Sequence, residues 1–244
     1  MAAFVQVLNF LYPPRCMACR AQLAMHESRR VCARCLAGVE RMPNVCCTVC
    51  GGPLESVESG AELCARCVAH PPHYRIARTV ARYRTTAEDE PGTLPALIRR
   101  HKYGLDQAAG RALAEYLGDA LPLTSADYDV VIPVPLHWQR LWWRGFNQAA
   151  LLAAEVARRL DLRLDATAMT RQRSTAPQTA RHHDDRVRNV RRAFSVKHPE
   201  RIKGRSVLLV DDVMTTGATV DECARVLLVA GAKLVDVFTL ARVL

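Results

Sequence analysis

Two adjacent carboxylates, Asp211 and Asp212, close an apolar run, Val207-Leu208-Leu209-Val210, and a short segment rich in hydroxyls, Thr215-Thr216-Gly217-Ala218-Thr219, follows them. The two parts ask opposite things of one ligand. Hydroxyls and backbone amides at the start of a helix suit a phosphate, and Gly217 lets the backbone come close to it. Carboxylates repel a phosphate and suit hydroxyl donors or a Mg²⁺-bound sugar. A phosphorylated ribose offers both features in one molecule.

The elements that must hold these groups can be read from the flanking residues. Four branched apolar residues in a row predict a strand buried on both faces, the kind found in parallel sheets. Val220, Cys223, Ala224, Leu227 and Leu228 then recur at helical spacing, so the threonine-glycine turn leads from the end of a strand into a helix. In open α/β sheets that edge is where ligands bind. A second strand-to-helix passage lies upstream. The run Val130-Val131-Ile132-Pro133-Val134-Pro135 is ended by its prolines or forced by them to a sheet edge. His137, Arg140 and Arg144-Gly145-Phe146-Asn147-Gln148 follow as an expected loop, and Asn147 caps a helix from about residue 149 to 160. Arg140 and Arg144 are the candidates for a pyrophosphate site there. Further strands and helices are expected over 76–84, 97–103 and 108–117, with a solvated loop at Glu88-Asp89-Glu90-Pro91-Gly92.

Residues 1–68 carry different chemistry. Nine of the ten cysteines lie there, and eight of them form four Cys-x-x-Cys pairs: Cys16/Cys19, Cys32/Cys35, Cys47/Cys50 and Cys64/Cys67. The spacing is that of zinc ribbons, which predicts two closed tetrahedral sites, structural rather than catalytic. Disulfides would need an oxidising compartment, and no signal peptide is apparent, so the expected location is cytoplasmic. Sequential sharing of each metal (16, 19, 32, 35 and 47, 50, 64, 67) and a cross-braced arrangement are both open. Cys46 is a spare thiol, His70 and His73 fall in a Pro-containing linker, and Cys223 reads as core. Few apolar residues are left in this part to build a core, so metal must replace it. The expected division is a ribbon unit over 1–72 and an α/β unit over 73–244.

The chain has 244 residues, with 34 basic against 24 acidic side chains for a formal charge of +10. With eight thiolates on two Zn²⁺ the balance falls to about +6. A basic chain favours an anionic ligand, a polyanion, or both. Between Arg171 and Arg205 eleven Lys/Arg face three Asp/Glu, which fits a flap over pyrophosphate, a grip on nucleic-acid phosphates, or a solvated loop. No apolar run is long enough to span a membrane. Phe4, Val7, Leu8 and Leu11 fit either packing on the protein's own core or a membrane-surface helix. Trp138, Trp142 and Trp143 fit either a stacking platform for single-stranded DNA or an interface packed between domains.

The stretch from Val207 to Thr219 resembles the 5-phosphoribosyl-1-pyrophosphate (PRPP) motif of type I phosphoribosyltransferases. That resemblance implies ribose hydroxyls on Asp211 and Asp212, the 5′-phosphate on Thr215 to Thr219, and Mg²⁺ bound with PRPP. Taken with the four cysteine pairs, Lys102-Tyr103-Gly104, Arg144-Gly145-Phe146-Asn147-Gln148, Pro177-Gln178 and Arg186-x-x-Asn189-Val190-x-x-Ala193-Phe194, the whole chain is similar to the ComF family, which includes GntX-like proteins. The resemblance implies a double zinc ribbon joined to a phosphoribosyltransferase-like α/β domain. It also implies a role in natural transformation, with single-stranded DNA and proteins of the competence machinery as partners; for GntX-like members it implies a link to gluconate use. The acidic insertion before Leu94 and Ala180-Arg181-His182-His183 depart from the family pattern. Three activities fit the residues: transfer of ribose 5-phosphate to an acceptor, nucleic-acid binding with a phosphoribosyl sensor, and PRPP-responsive regulation without turnover.

Overall fold

Parallel strands buried on both faces must be covered by helices on both faces, and the chain obeys this. The structure, a computed structural model, describes residues 13–24, 30–54, 62–84, 92–103, 106–121, 123–173, 188 and 190–244. The expectations for the N-terminal apolar stretch, Glu88 to Pro91, Gly104, Pro177-Gln178, Ala180 to His183, Arg186 and Asn189 fall outside the described residues.

Five strands form one parallel sheet: β1 (Ala77–Tyr83), β2 (Val130–Pro133), β3 (Arg163–Leu164), β6 (Ser206–Met214) and β7 (Leu234–Val243), in the order β1-β7-β6-β2-β3. Between them run α3 (Thr93–Tyr103), α4 (Gln107–Asp119), α5 (Trp138–Arg144), α6 (Gln148–Leu160) and α7 (Ala218–Val229). The two short knuckle helices are α1 (Ala33–Ala37) and α2 (Ala65–Ala69), and an antiparallel pair, β4 (Met169–Arg171) with β5 (Phe194–Val196), stands apart from the main sheet.

Strand alternation divides the core in two. Val131, Leu208, Val210, Phe238 and Leu240 pack on α3, α4 and α6, while Val130, Ile132, Val207, Leu209, Val235 and Val237 pack on α7. Residues 207–210 are fully buried, as a central strand requires. β2 does not lie at an edge. It ends at Pro133 between β6 and β3, so the prolines mark its end without displacing it from the sheet interior. The expected strand around Asp211 is longer than four apolar residues, because β7 continues to pair with β6 through Val213 and Met214 after β2 has stopped.

The ribbon segments join this sheet directly. Residues 40–42 run antiparallel along the outer edge of β1, with Arg82 N–H donating to Glu40 O at 2.8 Å and Met42 N–H to Val80 O at 3.1 Å, so that edge is covered. Cys16, Leu23, Val31, Cys35 and Val39 share the core of α3 and α4, whereas Cys47, Cys50 and Cys67 form a small cluster of their own with Val49, Leu54 and Cys64.

At the opposite end of the sheet from the acid pair, buried Asp236 accepts from Arg75 Nε (3.1 Å) and Nη2 (2.5 Å), from Ile76 N–H (3.2 Å) and from the Tyr128 hydroxyl (2.9 Å). Removing the carboxylate leaves a buried hydroxyl and one amide without their acceptor. Asp236→Ala is expected to cost about 3 kcal/mol, read as a lowered thermal midpoint with both zinc ions retained; an unchanged midpoint refutes this account of the network.

Candidate functional site

The strand order places a switch point between β2 and β6: the chain leaves β2 toward β3 on one side and leaves β6 toward β7 on the other. A crevice opens at such a point, outside the carboxyl ends of the strands. Lys102, Tyr103, Val134, Pro135, Arg140, Arg144, Asn147, Arg171, Asp211, Asp212 and Thr219 are among the residues that line it.

Local structure explains the pose of the acids. Beyond Val134, whose N–H donates to Val210 O at 2.9 Å, β6 has no neighbour on the β2 side. The Asp212 N–H instead donates to Asp211 Oδ1 at 2.9 Å, and the Val213 N–H to Asp212 Oδ1 at 2.6 Å. Successive strand residues face opposite ways. Asp212 turns toward α3 and meets Lys102 Nζ at 2.8 Å, while Asp211 feels the charge of Arg171 beside β5. Burial, reinforced by the Asp212 charge, pushes the Asp211 carboxyl up to about 7. Burial pulls Lys102 down, but Asp212 outweighs it and the ammonium is held above its ordinary range.

Arg140 and Arg144 sit on a helix, α5, and not on the loop expected from the sequence. The His137 ring nitrogen accepts from Gln139 N–H at 3.3 Å to start it, and Gly145, at φ 71°, ends it in the left-handed conformation. The i, i+4 spacing then puts both guanidinium groups on one face, toward the crevice. Arg144 lies over the Tyr103 ring at 5.4 Å and donates to Gln148 Oε1 at 3.2 Å. Arg140 is depressed by burial and by Arg144, and Arg171 by burial and by Arg140. Asn147 caps α6 as expected, accepting from Ala149 N–H at 3.1 Å and donating to Val134 O at 3.0 Å, which ties the cap to the end of β2.

Asp211, Asp212, Arg140, Arg144 and Thr219 thus meet in one crevice, and Thr215, Thr216, Gly217 and Ala218 form the adjoining turn into α7. Gly217 has φ 81°, a left-handed conformation that favours glycine, and a Cβ there would also press on the flexible end of Met214, 2.7 Å from its Cε. Lys102 and Arg171 escaped the sequence reading as site residues. Lys102 stands 110 residues before Asp212 in the chain, and Arg171 is one of many basic residues in its segment. Part of that basic segment, 174–187 and 189, lies outside the described residues. The tryptophans are not packed between domains: Trp138, Trp142 and Trp143, on α5, are 65%, 83% and 82% exposed.

The cysteines gather in sequential tetrads. Cys16, Cys19, Cys32 and Cys35 bring their sulfurs within 4.8 Å of one another, and so do Cys47, Cys50, Cys64 and Cys67. Tetrahedral thiolates at zinc distance stand about 3.8 Å apart; Cys19 and Cys32 are separated by 3.8 Å and Cys50 and Cys64 by 3.7 Å. All eight are free thiols, and both sets fit a structural Zn²⁺. Burial opposes ionisation of Cys16 and Cys47, but backbone amides aimed at their sulfurs win and lower each to about 6. Burial and neighbouring thiols push Cys35 up to about 12, the conflict that a dication at the centre resolves. Cys46 stands aside and donates to Pro43 O at 3.0 Å, and His73 Nδ1 pairs with Asp221 at 3.1 Å rather than joining a tetrad. Cys223 is fully buried in the core. Metal analysis is expected to find two Zn²⁺ per chain, one after Cys19→Ser, and two after Cys46→Ser; loss of zinc with Cys46→Ser refutes this ligand set.

A double zinc ribbon domain model matches residues 7–68, and a phosphoribosyl transferase domain model matches residues 147–244. DNA utilization protein YhgH of Escherichia coli O6:H1 is 35% identical over 243 residues, covering 95% of this chain and 98% of that protein. Competence protein F of Haemophilus influenzae is 31% identical over 242 residues (97% and 100%), and competence protein ComFC of Bacillus subtilis 28% over 230 residues (91% and 88%). Among solved structures, the glutamine PRPP amidotransferase from B. subtilis matches 64% of this chain and 29% of that one at 18% identity, with a TM-score of 0.37. Similarity at this identity over nearly the full length of both chains means that the chain belongs to the ComF family, with a double zinc ribbon followed by a phosphoribosyltransferase-like domain.

Proposed function

We propose that the chain binds PRPP, or a closely related phosphoribosyl ligand, and uses that binding while handling single-stranded DNA during DNA uptake, on the cytoplasmic side of the membrane. The observation that carries the reading is the meeting, at one switch point, of an acid pair, a glycine turn opening a helix, and two arginines on one face of α5. In this reading Asp211 and Asp212 hold the ribose 2′ and 3′ hydroxyls, the Thr215 to Thr219 turn takes the 5′-phosphate, and Arg140 and Arg144 take the pyrophosphate. Asp211 and Asp212 would be the carboxylates available to Mg²⁺ brought in with PRPP, which would shield pyrophosphate charge. Lys102 orients Asp212 through their ion pair, and Arg171 adds a further cation to the wall of the crevice.

The DNA part of the reading is supported by the names of the relatives, a DNA utilization protein and competence proteins, and by the surface of α5. Among the described residues no helix is long and apolar enough to cross a membrane. Three exposed indoles on a seven-residue helix, beside two arginines in a chain of charge +10, offer π-faces for bases and cations for phosphates. Proteins of the competence machinery are the expected protein partners.

Turnover is the second reading. The crowded arginines favour it, since a departing pyrophosphate needs stabilisation of its growing charge. Transfer of ribose 5-phosphate would then go to an acceptor bound at the crevice mouth.

Asp211→Asn combined with Asp212→Asn is expected to abolish calorimetric binding of PRPP with Mg²⁺; affinity equal to wild type removes the site assignment. Trp142→Ala combined with Trp143→Ala is expected to weaken binding of a single-stranded oligonucleotide by about tenfold or more, from about 1–3 kcal/mol per lost stack, with no fall in thermal midpoint because both rings stand in solvent. Equal affinity at matched salt would show that DNA, if bound, is held elsewhere.

A further inference from the structure

Each ribbon contains the same tetrapeptide, Cys32-Ala33-Arg34-Cys35 in the first and Cys64-Ala65-Arg66-Cys67 in the second, so each sets an arginine between two metal-facing thiols at the same place on a five-residue helix. Their surroundings differ. Arg34 is exposed. Arg66 crosses to the turn before α7, where its Nη1 donates to the Thr216 carbonyl at 2.5 Å. Its Nη2 lies 3.4 Å from the point where a Gly217 side chain would begin, and the Tyr74 hydroxyl lies 3.6 Å from the same point. Tyr74 is 2% exposed, and its hydroxyl has no hydrogen-bond partner among the described residues. Behind the turn, buried Arg242 on β7 donates from Nη1 to Cys50 O at 2.5 Å and lies 3.9 Å from both Cys50 Sγ and Met214 Sδ. The second tetrad is therefore tied to the β6–α7 turn through Arg66 and to the end of β7 through Arg242.

We propose that Arg66 is a positioning residue for the phosphate turn, which makes the second zinc knuckle a working part of the phosphoribosyl site. The inference rests on the site reading given above and adds to it a residue from outside the α/β unit. A trans peptide sets its C=O and N–H on opposite sides. By holding the Thr216 carbonyl, Arg66 turns the Gly217 N–H the other way, to join the unpaired amides at the start of α7 as an anion cradle. The guanidinium also places a full positive charge beside that cradle. Arg34, with the same two cysteine neighbours but a solvent environment, has no part in it.

The matched arginines supply the experiment. Calorimetry with ribose 5-phosphate, and separately with pyrophosphate, would be run on wild type, Arg66→Ala, Arg66→Lys and Arg34→Ala, with zinc content and thermal midpoint measured for each. Arg66→Ala is expected to weaken ribose 5-phosphate by about tenfold or more, the range for one charge-assisted hydrogen bond. Pyrophosphate, which the α5 arginines take, keeps its affinity. Arg34→Ala binds both as wild type does. Arg66→Lys regains part of the loss because it keeps the charge without the planar fork, and it stands in for the alanine variant should that one fail to fold. Wild-type affinity for ribose 5-phosphate in the Arg66 variants overturns the inference, as does an equal loss for both ligands. Failure of the wild-type chain to bind ribose 5-phosphate overturns the site reading itself and the inference with it.

Discussion

The site depends on β6 having two neighbours along its first half and only one along its second. From Val207 to Val210 it is paired with β2 and β7 and cannot depart from a buried ladder. At Asp211 the β2 side ends, while β7 holds the strand in line through Met214. This asymmetry opens the crevice and leaves the Asp212 N–H without a strand partner, so that it donates to Asp211 Oδ1, while alternation sends the two acids to opposite faces of one extended segment. Pro133 and Pro135 alternate with Val134, whose N–H faces β6, so the N–H groups they lack lie on the β3 side, where pairing with β2 has also ended.

The cysteine tetrads solve a different problem. The second ribbon has a core of little more than its own thiols with Val49 and Leu54, too little apolar surface to order a chain by burial alone. Bound metal substitutes for that surface, and the Arg66 and Arg242 contacts use the order so gained at the turn before α7 and at the end of β7. The first ribbon is built the same way but packs into the larger core on α3 and α4, with Arg100 Nη1 donating to Met17 O at 2.6 Å. Two copies of one metal-binding plan thus lie against different parts of the α/β unit, and only the second reaches the crevice region.

Much of this was legible in the sequence, for reasons specific to each element. The central strand, the acid pair and the cysteine spacing are local patterns, and local patterns survive without tertiary information. Sequential pairing of the tetrads was not decidable, because a Cys-x-x-Cys turn presents its two thiols in the same way whichever pair completes the metal site. Reading 138–144 as a loop missed the cap at His137 and the left-handed stop at Gly145, which together bound one short helix. Lys102 and Arg66 could not be found by spacing. One is 110 residues from Asp212 and the other 150 from Thr216, and only the fold joins them. The duplicated Cys-Ala-Arg-Cys is visible in the chain, but the difference between its two arginines is a fact of packing.

The electrostatics of the crevice show what it is suited to hold. Arg140 and Arg171 are drawn below their ordinary range by burial and by other arginines, and Asp211 is raised toward neutrality by burial and by Asp212. Groups of each sign therefore crowd their own kind, and the Lys102 to Asp212 pair relieves only part of it. Inorganic phosphate would ease the arginines while worsening the acids, and an uncharged sugar would do the reverse. In the proposed reading, a ligand with phosphate at one end and hydroxyls at the other would relieve both at once, so the placement of these charges would favour a phosphorylated sugar over either of its halves.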